Sequence, residues 1–153
     1  MSTSSIAKFN DIPVEFFSAA DGSILVEARP FLVEALGLKS SYVPKFVENN
    51  VWSENRTLQT MGQKGRSRWF VNEAGLYQLI FASKSDAARS VQKWVFSEVL
   101  PNIRKHGYYL DPKATRSQLV ELQNAITHHK NWTVDEYEEV LNYNRSEINA
   151  LHS

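Results

Sequence analysis

Cysteine is absent from the 153 residues, so there is no disulfide framework and no thiolate-held metal. No apolar run approaches the roughly 20 residues a membrane span requires, and no membrane association is expected. The opening "MSTSSIAKFN" has neither a basic n-region nor an apolar h-region, so it does not read as a signal peptide. Histidine is scarce: of four, only His106 lies outside the C-terminal stretch, and the adjacent His128 and His129 would point in different directions on a helix. No glycine-rich phosphate loop, "GxSxG" or "HExxH" occurs, and the acidic run Asp135, Glu136, Glu138, Glu139 is no carboxylate pair in a cleft. These absences argue against an enzyme, and no metal or cofactor is expected. Net charge is also missing, at zero.

That zero conceals an asymmetry. Residues 38–105 carry eleven lysines and arginines against five carboxylates, a net +6, while residues 113–153 carry four against six, a net −2. A basic middle and an acidic tail fit two jobs in one chain, although ordinary surface charge would give the same count. Hydrophobic content of 42% with 12% aromatics is enough for a folded domain with a core.

The first third reads as strands. "IAKFN", "IPVEFFS" and "SILVEA" are β-branched or aromatic runs separated by Asn10-Asp11 and Asp21-Gly22, which predicts a three-stranded antiparallel start. In "RPFLVEALGLKSSYVPKFVEN", Pro30 suits the first residue of a helix and Gly37 its left-handed stop. Ser40 or Ser41 can then cap a second helix running to about Glu48, with Pro44 tolerated in its first turn. Leu32, Leu36, Leu38, Val43 and Phe46 fall where two helices joined through a tight glycine turn would bury side chains against each other. This is the pattern of a helix-turn-helix and equally that of a structural helix pair beneath a sheet. If the second helix reads DNA, its exposed set is Lys39, Ser40, Tyr42, Lys45 and Asn49, types that meet phosphates or base edges.

"RTLQTMGQKGRSRWFVN" alternates on both sides of "GQKG". Lys64 falls at the tip of such a ribbon, Arg66 and Arg68 on one face of its second strand, and Trp69 and Val71 on the other, toward a core. A cation-tipped ribbon beside a helix pair looks like a wing that follows phosphates or probes a minor groove; a solvated hairpin would look the same. Asn72 is a plausible N-cap, Glu73 suits the first turn that follows, and Leu76, Leu79 and Ile80 form a buried stripe. After a restart at Ser85-Asp86, the next helix carries Val91, Trp94, Val95, Val99, Leu100 and Ile103 as its apolar set. Pro101 bends it, a last turn "NIRKH" follows, and Gly107 ends it.

The run "NEAGLYQLIFASKSDAARSVQKWVFSEVLPNIRKHG" resembles the BRO-N domain of phage antirepressors and baculovirus repeated-open-reading-frame proteins. The matching positions are Gly75, Leu76, Tyr77, Leu79, Ile80, Ser83 and Ala87 or Ala88, then Trp94, Val95, Glu98, Val99, Leu100, Pro101, Ile103, Arg104 and Gly107. The family's earlier "EALG" stands here as Glu34 to Gly37, with Phe31 near the place of an aspartate the family commonly carries. The resemblance covers about residues 6–110 and is densest over 69–107. It implies an α+β fold and a DNA-binding or antirepressor role in phage or prophage biology, hence a place in the cytoplasm of a bacterial host. It transfers no contact residues; the DNA-facing set rests on the residues alone.

Residues 111–153 lie outside that resemblance and read as a helical tail following a domain over 1–110. Leu119, Leu122 and Ile126 make one stripe, and Thr133 with Glu136 has the spacing of a capping box. Val134, Tyr137, Leu141, Ile148 and Leu151 step by threes and fours, with Asn144 in the missing slot, where a polar residue can fix register. A helical hairpin pairing chains into a homodimer or higher oligomer is expected; a tail folded back on its own domain has the same pattern. The expected architecture is therefore α+β: small antiparallel hairpins, a helix-turn-helix-like pair, two packed helices and a C-terminal helical hairpin. Two working partners remain open. One is DNA, held by the basic helix and wing; the other is a repressor protein bound directly, with little DNA binding. A purely structural oligomerisation protein is a weaker third.

Overall fold

The computed structural model describes residues 4–9, 11–60, 65–128 and 133–152. The chain divides into two compact units, Met1–Tyr109 and Leu110–Ser153.

The first unit is built on five antiparallel strands in the order β1-β2-β3-β5-β4. β1 is Ser4–Phe9, β2 Ile12–Ser18, β3 Ile24–Glu27, β4 Arg56–Thr60 and β5 Ser67–Asn72. The three-stranded start is as expected, and Asp11 takes φ 72° in the turn that pairs Phe9 with Ile12. The supposed wing is a different object from a free ribbon. Its second strand pairs with β3 (Val26 opposite Val71, Glu27 opposite Phe70), so β4–β5 forms one edge of the main sheet. The reason is apolar: Val26 and Val71 are sealed on one face, and on the other the Phe70 ring meets Phe17 edge-on at 6.3 Å. Alternation had assigned a core side only to Trp69 and Val71, yet β5 buries a residue on each face.

The first helix begins earlier than Pro30. α1, Ala28–Pro30, runs straight out of β3 and continues as a π-wound segment, Phe31–Ala35. Pro30 sits in the first turn, where backbone N–H groups have no intrahelical acceptor and none is missed. Gly37 then takes φ 71°, as its role as a stop requires. Ser40–Tyr42 forms a 3-10 turn without a side-chain cap, and α2, Val43–Asn50, follows with Pro44 in its first turn. Leu32, Leu36 and Val43 are buried, as is Val47.

α3, Glu73–Ala82, is capped by Asn72, whose Oδ1 accepts from the Gly75 amide at 2.9 Å. Leu76, Leu79 and Ile80 are buried; side chains of this size contribute about 1.5–3 kcal/mol each. Gly75 is a close-approach site: a Cβ there would lie 2.7 Å from the Asn55 carbonyl oxygen and 2.9 Å from Val71 Cβ. α4, Asp86–Trp94, is capped by Ser85, continues through a π-wound Val95–Val99, and ends as α5, Leu100–His106. Pro101, which cannot donate, stands one residue beyond the π-wound stretch, in the first turn of α5, and Gly107 closes the helix at φ 80°. Val91 is buried and Trp94 and Val95 pack on the core, but Leu100 and Ile103 are exposed at 52% and 45%.

The second unit holds α6, Arg116–His128, and α7, Val134–His152. The Thr133–Glu136 capping box forms, with the Thr133 amide donating to Glu136 Oε2 at 2.6 Å and the Glu136 amide to Thr133 Oγ1 at 3.3 Å. Thr115 and Gln118 make a second box that the sequence reading missed. Leu119 and Leu122 are partly exposed and Val134 is 72% exposed. Tyr137, Leu141, Asn144, Ile148 and Leu151 fall on α7, but their side chains, like that of Ile126, lie outside the described ones.

Candidate nucleic-acid interface

α2 is short and two-sided. Val43 and Val47, four apart, are buried, which turns Tyr42, Lys45 and Asn49 outward at steps of three and four. Lys39, just before the 3-10 turn, and Ser40, its first residue, are exposed beside them. Asn50 closes the far end by donating from Nδ2 to the Phe46 carbonyl at 2.8 Å.

Two arginines hold this element. Arg56, the first residue of β4, donates from Nη1 to the carbonyls of Glu48 and Val51, both at 2.7 Å, where helix carbonyls lack intrahelical partners. Its guanidinium also lies 5.5 Å from the Trp69 ring centroid, so this cation serves the fold. At the other end Arg29 donates to the Ser40 carbonyl at 3.0 Å and to Ser40 Oγ. The sequence reading overlooked Arg29. Its signal was position: the one arginine where β3 runs into α1, continuing the register toward Arg68.

Between the start of α2 and the β4–β5 edge lies a cleft of about 180 Å³. Val43 and Pro44 form one wall, Leu58 and Trp69 the apolar floor, and Arg29, Arg68 and Ser67 the polar rim. Of the eight predicted DNA-facing residues, Arg68 lines this cleft, and Ser40 is tied to it through Arg29. Lys39, Tyr42 and Lys45 are exposed around its Val43–Pro44 wall, and Asn49 is exposed toward the other end of α2. Arg66 is exposed beside Ser67, and Lys64 lies outside the described residues. Arg68 also reaches Glu27 Oε1 at 3.4 Å, with its side chain 52% exposed. An exposed pair of this kind is worth about 0–1 kcal/mol, so a phosphate can compete for it.

Among the described residues no three His, Asp or Glu side chains gather as a metal would require. Among the described residues the strongest perturbation of a titratable group is at Tyr77: burial, then its hydrogen bond to Glu73 Oε1 at 2.5 Å, pushes the phenol up to about 12. Tyr77 packs on Phe9 at 5.6 Å, in the scaffold rather than at the cleft.

The model of the BRO family, N-terminal domain, matches residues 13–101, which contain β3, β4, β5 and most of β2, together with α2, the cleft and α4. The chain belongs to that family. Two curated relatives are Bro-N domain-containing proteins of invertebrate iridescent viruses: the putative protein 201R of virus 6, 38% identical over 53 residues, and 019R of virus 3, 45% over 40. An "uncharacterized protein" of Haemophilus influenzae is 51% identical over 45 residues. These matches cover 35%, 26% and 29% of this chain, and the chain spans only 13%, 10% and 22% of those proteins. No solved structure matches it. Bro-N domains form a regulatory family rather than an enzyme family. Among the described residues no helix is long and apolar enough to cross a membrane.

Proposed function

We propose that this Bro-N unit binds duplex DNA as a transcriptional regulator of the antirepressor type in phage or prophage biology, acting in the host cytoplasm. One observation carries the reading: the cleft joins Arg29 and Arg68 to the foot of α2, whose outward stripe is Tyr42, Lys45 and Asn49. In this reading α2 faces the major groove, with Lys45 and Asn49 toward base edges and Lys39 and Ser40 toward phosphates. The β4–β5 edge lies on the backbone, placing Lys64, Arg66 and Arg68 at phosphates or the minor groove. The helices α6 and α7 pair two chains through Val134, Tyr137, Leu141, Asn144, Ile148 and Leu151, which presents two such units to one duplex.

The test is an electrophoretic shift series across salt concentrations. Each phosphate contact contributes a slope of roughly −0.9 in log affinity against log salt, so Arg66→Ala with Arg68→Ala should flatten the slope by about 1.8. An unchanged slope and affinity would remove the wing. A second reading, direct capture of a repressor protein, has its own support in the exposed Phe81 and Phe96, whose rings meet at 5.5 Å. Absence of any shift, with co-purification of a repressor, would favour it.

A further inference from the structure

The cleft is not the largest hollow of the first unit. On the other side of the Glu27–Arg68 pair lies a groove of about 430 Å³, within the roughly 300–1,000 Å³ typical of sites that enclose a ligand group. Its surface is apolar where Ile6, Phe17 and Phe31 line it and acidic where Glu15, Glu27 and Glu34 do; among the described residues no lysine or arginine lines it. Ile6 is 75% exposed, an unusual position for an isoleucine on an edge strand. Glu15 and Glu34 are exposed and make no ion pair among the described residues.

The chain also carries the complementary surface. On the helix ending in α5, Phe96, Leu100 and Ile103 stand at steps of four and three, exposed at 57%, 52% and 45%, with exposed Arg104 and Lys105 in the last turn. Neither cation makes an ion pair among the described residues. A protomer cannot satisfy itself. Ala87, which lines the groove, and Ile103 lie on one helical run over residues 86–106, and sixteen residues of helix separate them by about 24 Å.

We propose that the groove receives α5 of a second copy, with Leu100 and Ile103 on the apolar lining and Arg104 and Lys105 against Glu15 and Glu34. The contact is heterologous, so it closes into a ring or propagates head to tail, unlike a symmetric pairing through α7. It is independent of the DNA reading.

Sedimentation of the full chain over a concentration series tests it. Wild type should assemble with increasing concentration, and less so in high salt. Glu15→Lys with Glu34→Lys in the groove, or Arg104→Glu with Lys105→Glu on α5, should each weaken that assembly at least about tenfold. All four positions are exposed, and circular dichroism will show whether each variant is folded. Mixing the two variants places reversed charges opposite one another and should restore assembly. Pairing through α7 would be common to all samples. Wild type that assembles no more than either variant, or a mixture that stays dissociated, overturns the proposal.

Discussion

Two hollows of opposite character lie on either side of one ion pair. The cleft toward α2 is rimmed by Arg29 and Arg68, and the groove toward β1 and β2 by Glu15, Glu27 and Glu34. Residues 1–37 contribute five carboxylates against only Lys8 and Arg29, whereas residues 38–105 are net +6. A chain of zero net charge can thus carry strong local fields, because short-range attraction depends on which charges stand within about a Debye length of roughly 8–10 Å. Glu27 and Arg68 each line one hollow, and their contact at 3.4 Å is where the two fields partly cancel.

The comparison is broken most completely by disturbing the scaffold beneath both. A methyl group at Gly75 meets backbone at 2.7 Å, so Gly75→Ala should cost about 1–3 kcal/mol through overpacking, read as a lowered thermal midpoint. Arg56→Ala separates the fold from the interface. It removes two hydrogen bonds at the end of α2 and should destabilise by about 1–3 kcal/mol in urea, with loss of DNA affinity following from a loosened α2.

Smaller changes sharpen the contrast. Arg29→Ala should lower DNA affinity about tenfold, in keeping with a charged hydrogen bond of roughly 1.5 kcal/mol, while leaving assembly through the groove intact; titration at fixed salt checks the first and sedimentation the second. Glu27→Gln should do the reverse to the cleft. Freed from its carboxylate, Arg68 should raise DNA affinity by up to about fivefold, the scale of an exposed pair. A loss of affinity in Glu27→Gln would mean that Glu27 positions Arg68 instead of competing for it.

The smallest effect is alkaline. Tyr77 ionises near 10 when unfolded and near 12 when folded, so its neutral phenol favours the folded state fully below pH 10. That contribution is lost as pH rises from 10 through 12. Tyr77→Phe should flatten this limb of the stability curve, and the phenolate absorbance of wild type should appear at correspondingly higher pH.

What proved legible was local. Asn72, Ser85, Gly107 and the Thr133–Glu136 box do what their types and spacing dictate, because a cap or a stop is decided within a few residues. The outward stripe of α2 was legible for the same reason, since helical periodicity alone turns Tyr42, Lys45 and Asn49 away from Val43 and Val47. Arg29 and Arg56 were not. Both are ordinary arginines in sequence, and only contacts eleven and eight residues away distinguish the one beside the cleft from the one closing a helix.

By itself, the amino-acid order determined the strands and helices, the family pattern over residues 69–107 and the separation of a basic middle from an acidic tail. Each follows from periodicity, capping chemistry or composition. Tertiary structure alone decided that β5 pairs with β3, which makes the supposed free wing an edge of the main sheet. It also decided that Glu27 stands beside Arg68 across 41 residues of chain, and so where the basic cleft ends and the acidic groove begins. Those outcomes depend on which apolar faces find each other over long distances in the chain, and no short-range rule encodes that choice.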